Sequence, residues 1–234
     1  MCLLPLLGAG QAKKNVTSSE RIFAKNDKIA ELEKAIGAHA QKYHTGNYAW
    51  RVYDILSGPD AGGYMIAEKP GSWADLDTRG DISPEHTADY NNNVAALTTE
   101  KSSTFYGTFM EDLSTVQLTD FADKIAIQHV FLKPGYTGDY ENLLKKIKKV
   151  WEAAGQTVAV YASSSSGPQQ YMIVTRYKGG FAERDNTFGG KGFPERYEAA
   201  NGPGSLNDYL LSIRRMVDSN WGELLILNKN MSSK

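Results

Sequence analysis

Two kinds of hydrophobic periodicity alternate along the chain. Short segments alternate apolar and polar residues, which is typical of β-strands with one buried face. Longer segments repeat apolar residues every three or four positions, which is typical of amphipathic helices. The pattern predicts β-α-β-β-α-β from residue 21 to residue 110 and the same order again from residue 124 to residue 227.

In the first copy, we expect strands over residues 21–24, 49–56, 63–69 and 104–110. Asn26 or Asp27 is expected to cap the first helix, because short polar side chains accept hydrogen bonds from the free N–H groups there. The second helix is expected to begin near Ser83-Pro84-Glu85, since proline suits a first helical turn.

In the second copy, we expect strands over residues 124–132, 157–163, 170–177 and 223–227. A helix over 139–154 would bury its apolar positions and leave four lysines in water. A last helix is expected to turn these residues inward: Leu206, Leu210, Ile213, Val217 and Trp221.

Landmarks in the two copies recur at nearly constant spacing. The offsets are 160 − 52 = 108, 171 − 64 = 107 and 181 − 73 = 108. The matched segments are Val52-Tyr53 with Val160-Tyr161, Tyr64-Met65-Ile66 with Tyr171-Met172-Ile173, and Trp73 to Asp77 with Phe181 to Asp185. Constant spacing indicates a tandem duplication. We assign the first repeat to residues 15–116 and the second to residues 117–234.

The duplication predicts how the halves associate. Right-handed crossovers place both helices of each unit on one face of its sheet and leave the other face bare. Strand 124–132 is apolar on both faces, and monomers rarely expose an apolar patch of that size. We therefore expect an α+β fold of two ferredoxin-like repeats, with antiparallel sheets packed face to face as an intrachain α-β barrel.

Composition narrows the class of protein. The chain is 41% hydrophobic and 23% charged, as a globular protein is, and its net charge of -1 provides no positive field for nucleic acid. With a single cysteine, Cys2, and no His-x-x-x-His pair or calcium-loop pattern, we expect no metal site. No segment is long enough for an integral membrane span. We also expect no nucleic-acid partner, and a monomer or weak homo-oligomer.

Residues 1–14 resemble part of a signal peptide. An apolar run is followed by small residues, with cleavage plausible after Ala12, and then by Lys13-Lys14. The positive stretch that precedes the apolar run in such signals is missing. We expect an exported protein, periplasmic or secreted. The alternative is a partly ordered N-terminus that is not a signal peptide.

The strand Ile125 to Leu132 leading into Lys133-Pro134-Gly135, and the segment Trp73 to Asp77 after a strand, resemble the dimeric α-β barrel superfamily. The resemblance covers residues 19 to 230. It implies the barrel and a cavity between the sheets. The superfamily includes antibiotic-biosynthesis-type monooxygenases, haem-degrading enzymes, chlorite-dismutase-like proteins and stress-responsive barrel proteins, so it implies no single reaction.

Monooxygenase-like and haem-degrading relatives often carry a tryptophan and a histidine near the start of a helix. The resemblance therefore implies His86, His129 and Trp73 as catalytic candidates, and haem as the cofactor if the protein is a haem enzyme of this superfamily. The departures from the pattern are an enlarged spacing between Trp73 and His86 and a first strand without asparagine. The alternatives are a helix-start residue for His86 and a hydrogen-bonded core residue for His129.

The residues themselves favour a different site. Four tyrosines occupy equivalent hairpin positions in the two copies, and two arginines lie on neighbouring strand positions: Tyr53, Tyr64, Tyr161, Tyr171, Arg51 and Arg176. Amphipathic rings with a cation suit an anionic or aromatic ligand, although duplicated tyrosines also pack duplicated cores. We expect a small organic ligand between the sheets, with no cofactor. The rivals are a cofactor-independent monooxygenase or haem enzyme and a protein-assembly module.

Overall fold

Eight β-strands form the centre of the protein in a computed structural model that describes residues 13–78, 81–185 and 190–234. The strands are β1 (Val16–Ile22), β2 (Trp50–Ile55), β3 (Tyr64–Glu68), β4 (Ser103–Phe109), β5 (Lys124–Leu132), β6 (Val158–Ser163), β7 (Gln170–Tyr177) and β8 (Val217–Leu227). They close into one barrel in the order β1-β3-β2-β8-β5-β7-β6-β4, and neighbouring strands are antiparallel.

Six α-helices lie between the strands in the part of the chain that the structure describes. They are α1 (Ile29–Tyr43), α2 (Trp73–Thr78), α3 (Pro84–Asp89), α4 (Thr137–Ala153), α5 (Phe193–Asn201) and α6 (Ser205–Met216). A π-helical turn and a 3₁₀ turn continue α3 through residues 90–97. In the described part of the chain, no helix has both the length and the apolar character that a membrane span needs.

The expected association of two sheets is confirmed. Strands β1 to β4 form one four-stranded half and β5 to β8 the other, and the pairs β2/β8 and β4/β6 join the halves. Each helix layer covers the outer side of its own half with a separate apolar core, and a third apolar core fills the barrel. The bare faces therefore shield each other inside the barrel.

Alternation along β5 sets which residues enter the barrel. Ile125 and Ile127 belong to the inner core, whereas Val130 and Leu132 pack beneath the helices of the second half. His129 has the parity of Ile127 and therefore faces inward, which sequence parity alone left open.

Equivalent contacts in the two halves support the duplication. The Tyr64 hydroxyl donates to Glu33 on α1 at 2.8 Å, and the Tyr171 hydroxyl donates to Glu141 on α4 at 2.7 Å. Glu33 and Glu141 are separated by 141 − 33 = 108 residues, the offset of the repeat.

Several predicted boundaries were wrong. Lys28, not Asn26 or Asp27, is the N-cap of α1, because the chain first makes a tight turn from Lys25 to Lys28. The last helix ends at Met216, and Val217 and Trp221 belong to β8, which pairs with nearly the whole length of β5. Pairing along β5 outweighs the helical spacing of those apolar residues. Leu210 is exposed rather than turned inward, and residues 1–12 of the expected leader lie outside the described part.

Candidate functional site

The barrel interior is apolar in the middle and polar at both ends. Arg51 and Arg176 lie towards one end, and Arg21, His129 and Glu223 lie towards the other. The middle is filled by these buried residues: Tyr53, Ile55, Met65, Phe109, Ala122, Ile125, Ile127, Ala159, Tyr161, Met172, Val174 and Leu225.

Arg176 brings a buried cation to the first end. Arg176 is only 3% exposed. Its guanidinium donates hydrogen bonds to the Gln117 carbonyl and to the Tyr161 hydroxyl, each at 3.0 Å. Both acceptors are neutral. Among the described residues, no carboxylate forms an ion pair with Arg176.

Arg51 stacks on the same aromatic ring as Arg176. The Arg51 guanidinium carbon lies 3.5 Å from the centroid of Phe121, and the Arg176 carbon lies 5.5 Å from it. In the described part of the chain Arg51 also lacks a carboxylate partner. The nearby Asp123 carboxylate is bound instead to Lys229 at 2.7 Å.

A cavity of about 90 Å³ opens beside these side chains. Tyr53, Tyr161, Phe121 and Arg176 line it together with apolar strand residues, while Arg51 lies behind Phe121. Glu68 also lines the cavity, and its carboxylate accepts a hydrogen bond from Ser18 at 2.7 Å.

The electrostatics of this end follow from burial and from the two arginines. Burial lowers the pKa of Arg51, and the positive charge of Arg176 lowers it further. Burial also raises the pKa of Tyr53 to about 12 and raises the pKa of Tyr161, although the nearby arginines oppose both shifts. The tyrosines are therefore neutral hydroxyls at neutral pH.

The four tyrosines of the sequence prediction divide into two pairs. Tyr53 and Tyr161 share the barrel interior with Arg176. Tyr64 and Tyr171 instead lie on the outer faces, each bonded to a glutamate of the overlying helix. Four of the six predicted ligand residues are thus brought together, and the other two lie elsewhere.

The opposite end of the barrel is occupied by a charged network. The Glu223 carboxylate binds both terminal nitrogens of Arg21 and lies 2.9 Å from His129 Nε2. Arg21 also donates to Asp60 at 3.0 Å, and the His129 ring stacks on Trp221 with centroids 3.8 Å apart.

Trp73 and His86 lie outside the barrel on the first half. Trp73 begins α2 and is 46% exposed, with its ring 6.1 Å from that of Tyr106. Tyr106 and Tyr48 line a surface groove of about 350 Å³. His86 is in the first turn of α3, where Ser83 accepts a hydrogen bond from its backbone N–H.

Sequence reasoning missed a group of three histidines. His39, His44 and His86 each bring a ring nitrogen to one place, and these atoms all lie within 4.8 Å of one another. Burial lowers the pKa of His39, which outweighs the effect of its hydrogen bond with Asp89. The expectation of no metal site depended on spacing along the chain, whereas the fold brings these residues together.

Both histidines suggested by the resemblance have protein groups against their rings. The His86 ring lies against His39, Tyr43 and His44, with ring centroids 4.9, 5.4 and 5.1 Å away. His129 has Glu223 and Gln170 at its two ring nitrogens. In the described part of the chain, neither His86 nor His129 lines the barrel cavity or the surface groove.

No family model and no curated protein matches the chain. Solved structures with the same fold do match over nearly the whole chain. A protein from Lactobacillus acidophilus NCFM proposed to be a monooxygenase is 11% identical, with a TM-score of 0.53, over 95% of this chain and 97% of that one.

Two further structures have different descriptions. An anthrone oxidase-like protein is 14% identical, with a TM-score of 0.57, over 92% of each chain. A proposed chlorite dismutase is 8% identical, with a TM-score of 0.53, over 93% of this chain and 96% of that one. These identities show the fold alone. The resemblance to the dimeric α-β barrel superfamily is confirmed at that level, and the chain has the ferredoxin-like α+β barrel fold that these structures share.

Proposed function

We propose that the protein binds a small organic carboxylate in the barrel, beside Arg176. The observation that carries the proposal is the burial of this guanidinium among neutral acceptors, next to a cavity. Arg51 adds a second cation behind Phe121.

The physical reason is charge compensation. A buried charge without a counter-ion is costly, and two like charges that share one aromatic ring increase that cost. The Glu68 carboxylate lines the cavity but accepts a hydrogen bond from Ser18, and the described hydrogen-bond acceptors of Arg176 are neutral. A ligand carboxylate bound to Arg176 would supply its counter-ion, because guanidinium groups bind carboxylates through paired hydrogen bonds.

The cavity limits the ligand. Pockets for drug-sized molecules measure about 300–1,000 Å³, so a cavity of about 90 Å³ suits a far smaller molecule. The apolar side chains of its walls include Met65, Ile125, Met172 and Val174. A short aliphatic acid or benzoate combines this size with an apolar body and one negative charge.

Isothermal titration calorimetry with benzoate, propionate and inorganic phosphate tests the proposal. We expect saturable binding of a carboxylate that weakens at least tenfold in Arg176→Gln and less in Arg51→Gln. Arg184→Gln is the matched control, because Arg184 stacks on Tyr177 outside the inner core and should leave binding unchanged.

Loss of Arg176 could also loosen the barrel, so each variant is checked by thermal unfolding. Arg51 is only half-buried, so we expect its substitution to leave the core folded. Absence of binding in the wild type, or equal binding in Arg51→Gln, Arg176→Gln and Arg184→Gln, overturns the proposal.

The likeness to solved structures described as monooxygenases carries a second candidate, the oxidation of a small aromatic substrate without a cofactor. Oxygen consumption with quinol-like substrates tests it. Turnover that is unchanged in Tyr161→Phe would place that chemistry outside the barrel cavity.

Export and assembly remain separate proposals. Cleavage after Ala12 would leave a chain that begins at Lys13, which N-terminal sequencing of secreted or periplasmic protein detects. An assembly role requires a mass that increases with concentration, which sedimentation measures.

A further inference from the structure

We propose that His39, His44 and His86 form a mononuclear site for a divalent transition-metal ion, with Zn²⁺ the best match, on the outer side of the first half. This site is separate from the carboxylate site inside the barrel. It would provide three imidazole ligands and leave a fourth position for water or an external ligand.

The distances between ring nitrogens match such a site. His39 Nε2 and His44 Nε2 are 3.3 Å apart, and His44 Nε2 and His86 Nε2 are 3.2 Å apart. Two ligands bound at 2.0–2.1 Å in a tetrahedral arrangement stand about 3.3–3.4 Å apart. Two of the three nitrogen pairs therefore already have the spacing of a tetrahedral site, and the third lies within 4.8 Å.

The opposite nitrogen of each ring is held by an oxygen acceptor. His39 Nδ1 lies 2.7 Å from Asp89, and His86 Nδ1 lies 2.8 Å from Asp81. His44 Nδ1 lies 3.0 Å from the Tyr48 carbonyl. A hydrogen on each Nδ1 satisfies these acceptors and turns the lone pair of each Nε2 towards the common centre.

This arrangement is the one by which proteins orient histidines on a metal. A carboxylate or carbonyl behind each ring fixes its tautomer and increases its basicity as a ligand. Three nitrogen acceptors that converge in this way, with His44 Nε2 at 3.2–3.3 Å from each of the other two and all three within 4.8 Å, need an electrophile between them. A metal ion meets that need, and a shared proton is the competing explanation.

The fold holds two of the ligands firmly and leaves the third accessible. His39 and His44 are each 1% exposed, whereas the His86 side chain is 16% exposed. The His44 ring also stacks on Trp50 with centroids 3.5 Å apart. An ion would thus bind at a rigid base and meet solvent beside His86.

The second copy shows that the fold does not require these histidines. The equivalents of His39 and His44 are Ile147 and Glu152, since 39 + 108 = 147 and 44 + 108 = 152. The whole chain has four histidines, and three of them meet here. The cluster is therefore an addition to one copy of a duplicated framework.

The donor set determines the class of metal. Neutral imidazoles suit zinc, copper, nickel and cobalt, whereas calcium and magnesium prefer oxygen ligands. Asp81 and Asp89 lie behind the rings rather than at the centre, so the inner ligands are nitrogens.

Zinc titration of the full chain without a polyhistidine tag, after removal of metals with a chelator, tests the site. We expect one Zn²⁺ per chain in competition with a chromogenic chelator. His86→Gln should weaken the affinity more than about 100-fold, because even loss of an outer hydrogen-bond partner costs 10–100-fold. Asp89→Asn should fall within that 10–100-fold range.

The control is His129→Gln, which removes the one histidine outside the cluster and should leave zinc affinity unchanged. Co²⁺ provides a second readout, since tetrahedral Co²⁺ absorbs visible light far more strongly than octahedral Co²⁺. His86 is partly exposed, so circular dichroism of His86→Gln can establish that the variant folds.

Three results overturn the proposal: no Zn²⁺ or Co²⁺ binding, an octahedral Co²⁺ spectrum, or the same affinity in His86→Gln as in the wild type. Retention of stoichiometric zinc by Arg176→Gln separates this site from the carboxylate site, so either proposal can fail alone.

Discussion

Arg21 and His129 occupy equivalent positions in the two copies, since 129 − 21 = 108, and their side chains meet inside the barrel. Arg21 Nη2 lies 3.5 Å from His129 Nε2. Both also contact Glu223, whose side chain is completely buried. The two halves of the barrel are thus joined through a single carboxylate contributed by β8.

Replacement of Glu223 should destabilise the protein strongly. Glu223→Gln keeps the size of the side chain but leaves Arg21 buried with Asp60 as its remaining acidic partner. Breaking a buried ion pair costs about 3–5 kcal/mol, and we expect a loss near the lower end because Asp60 remains. Urea unfolding followed by circular dichroism measures the change.

The double variant Arg21→Met with Glu223→Leu distinguishes the cost of an unpaired charge from the value of the pair. Removing both charges should restore part of the stability lost in Glu223→Gln, since apolar replacements of buried pairs are often neutral or stabilising. A Glu223→Gln variant as stable as the wild type would show that the network contributes little.

The same network predicts sensitivity to acid. Burial raises the pKa of Glu223, but the hydrogen bonds from Arg21 and His129 outweigh burial and bring it below the ordinary value of 4.5. A lowered pKa stabilises the folded state above the unfolded pKa, and this contribution is lost as the pH falls through the folded pKa.

We therefore expect the free energy of unfolding to decline below a pH of about 4.5, and to decline less steeply in Glu223→Gln. Urea titrations at a series of acidic pH values measure both slopes. Parallel slopes in the two proteins would assign acid sensitivity to other carboxylates, such as Asp60, whose pKa is also lowered despite burial.

The sequence was sufficient to predict the barrel because both faces of β5 are apolar. A sheet with that composition has to be covered on both sides, and the duplication supplied the cover. The same alternation could not show which face entered the barrel. Tyr53 and Tyr64 therefore looked equivalent as ligand residues, although one faces inward and the other faces α1.

The histidine cluster could not be predicted from spacing. His44 follows His39 by five residues, just past the end of α1, and His86 lies on α3, 42 residues after His44. One signal was present in the sequence: the cluster positions on α1 have no histidine counterparts in the second copy. Residues that differ between duplicated halves are free of the constraints that both halves share.

The matched hydrogen bonds of Tyr64 and Tyr171 provide a test of the structural equivalence of the two halves. Tyr64→Phe and Tyr171→Phe each remove one donor to a helix glutamate and should each cost about 1.5–3 kcal/mol, because the acceptors are charged carboxylates. The sites lie in different halves, so their effects should add in the double variant. Chemical denaturation measures all three proteins, and strong non-additivity would reveal coupling between the halves.

The C-terminal segment depends on a glycine of α1. An added Cβ at Gly37 would lie 2.6 Å from the Asn230 carbonyl oxygen, in a segment that bonds to β2 through Asn228 and Ser233. Gly37→Ala should therefore cost about 1–3 kcal/mol of folding stability through overpacking.

Gly138→Ala on α4 is the control, since nothing lies within 4 Å of its Cβ and alanine favours helices by up to about 1 kcal/mol. Hydrogen exchange at residues 228–233 should increase in Gly37→Ala alone, and unchanged protection there would show that the segment accommodates the methyl group.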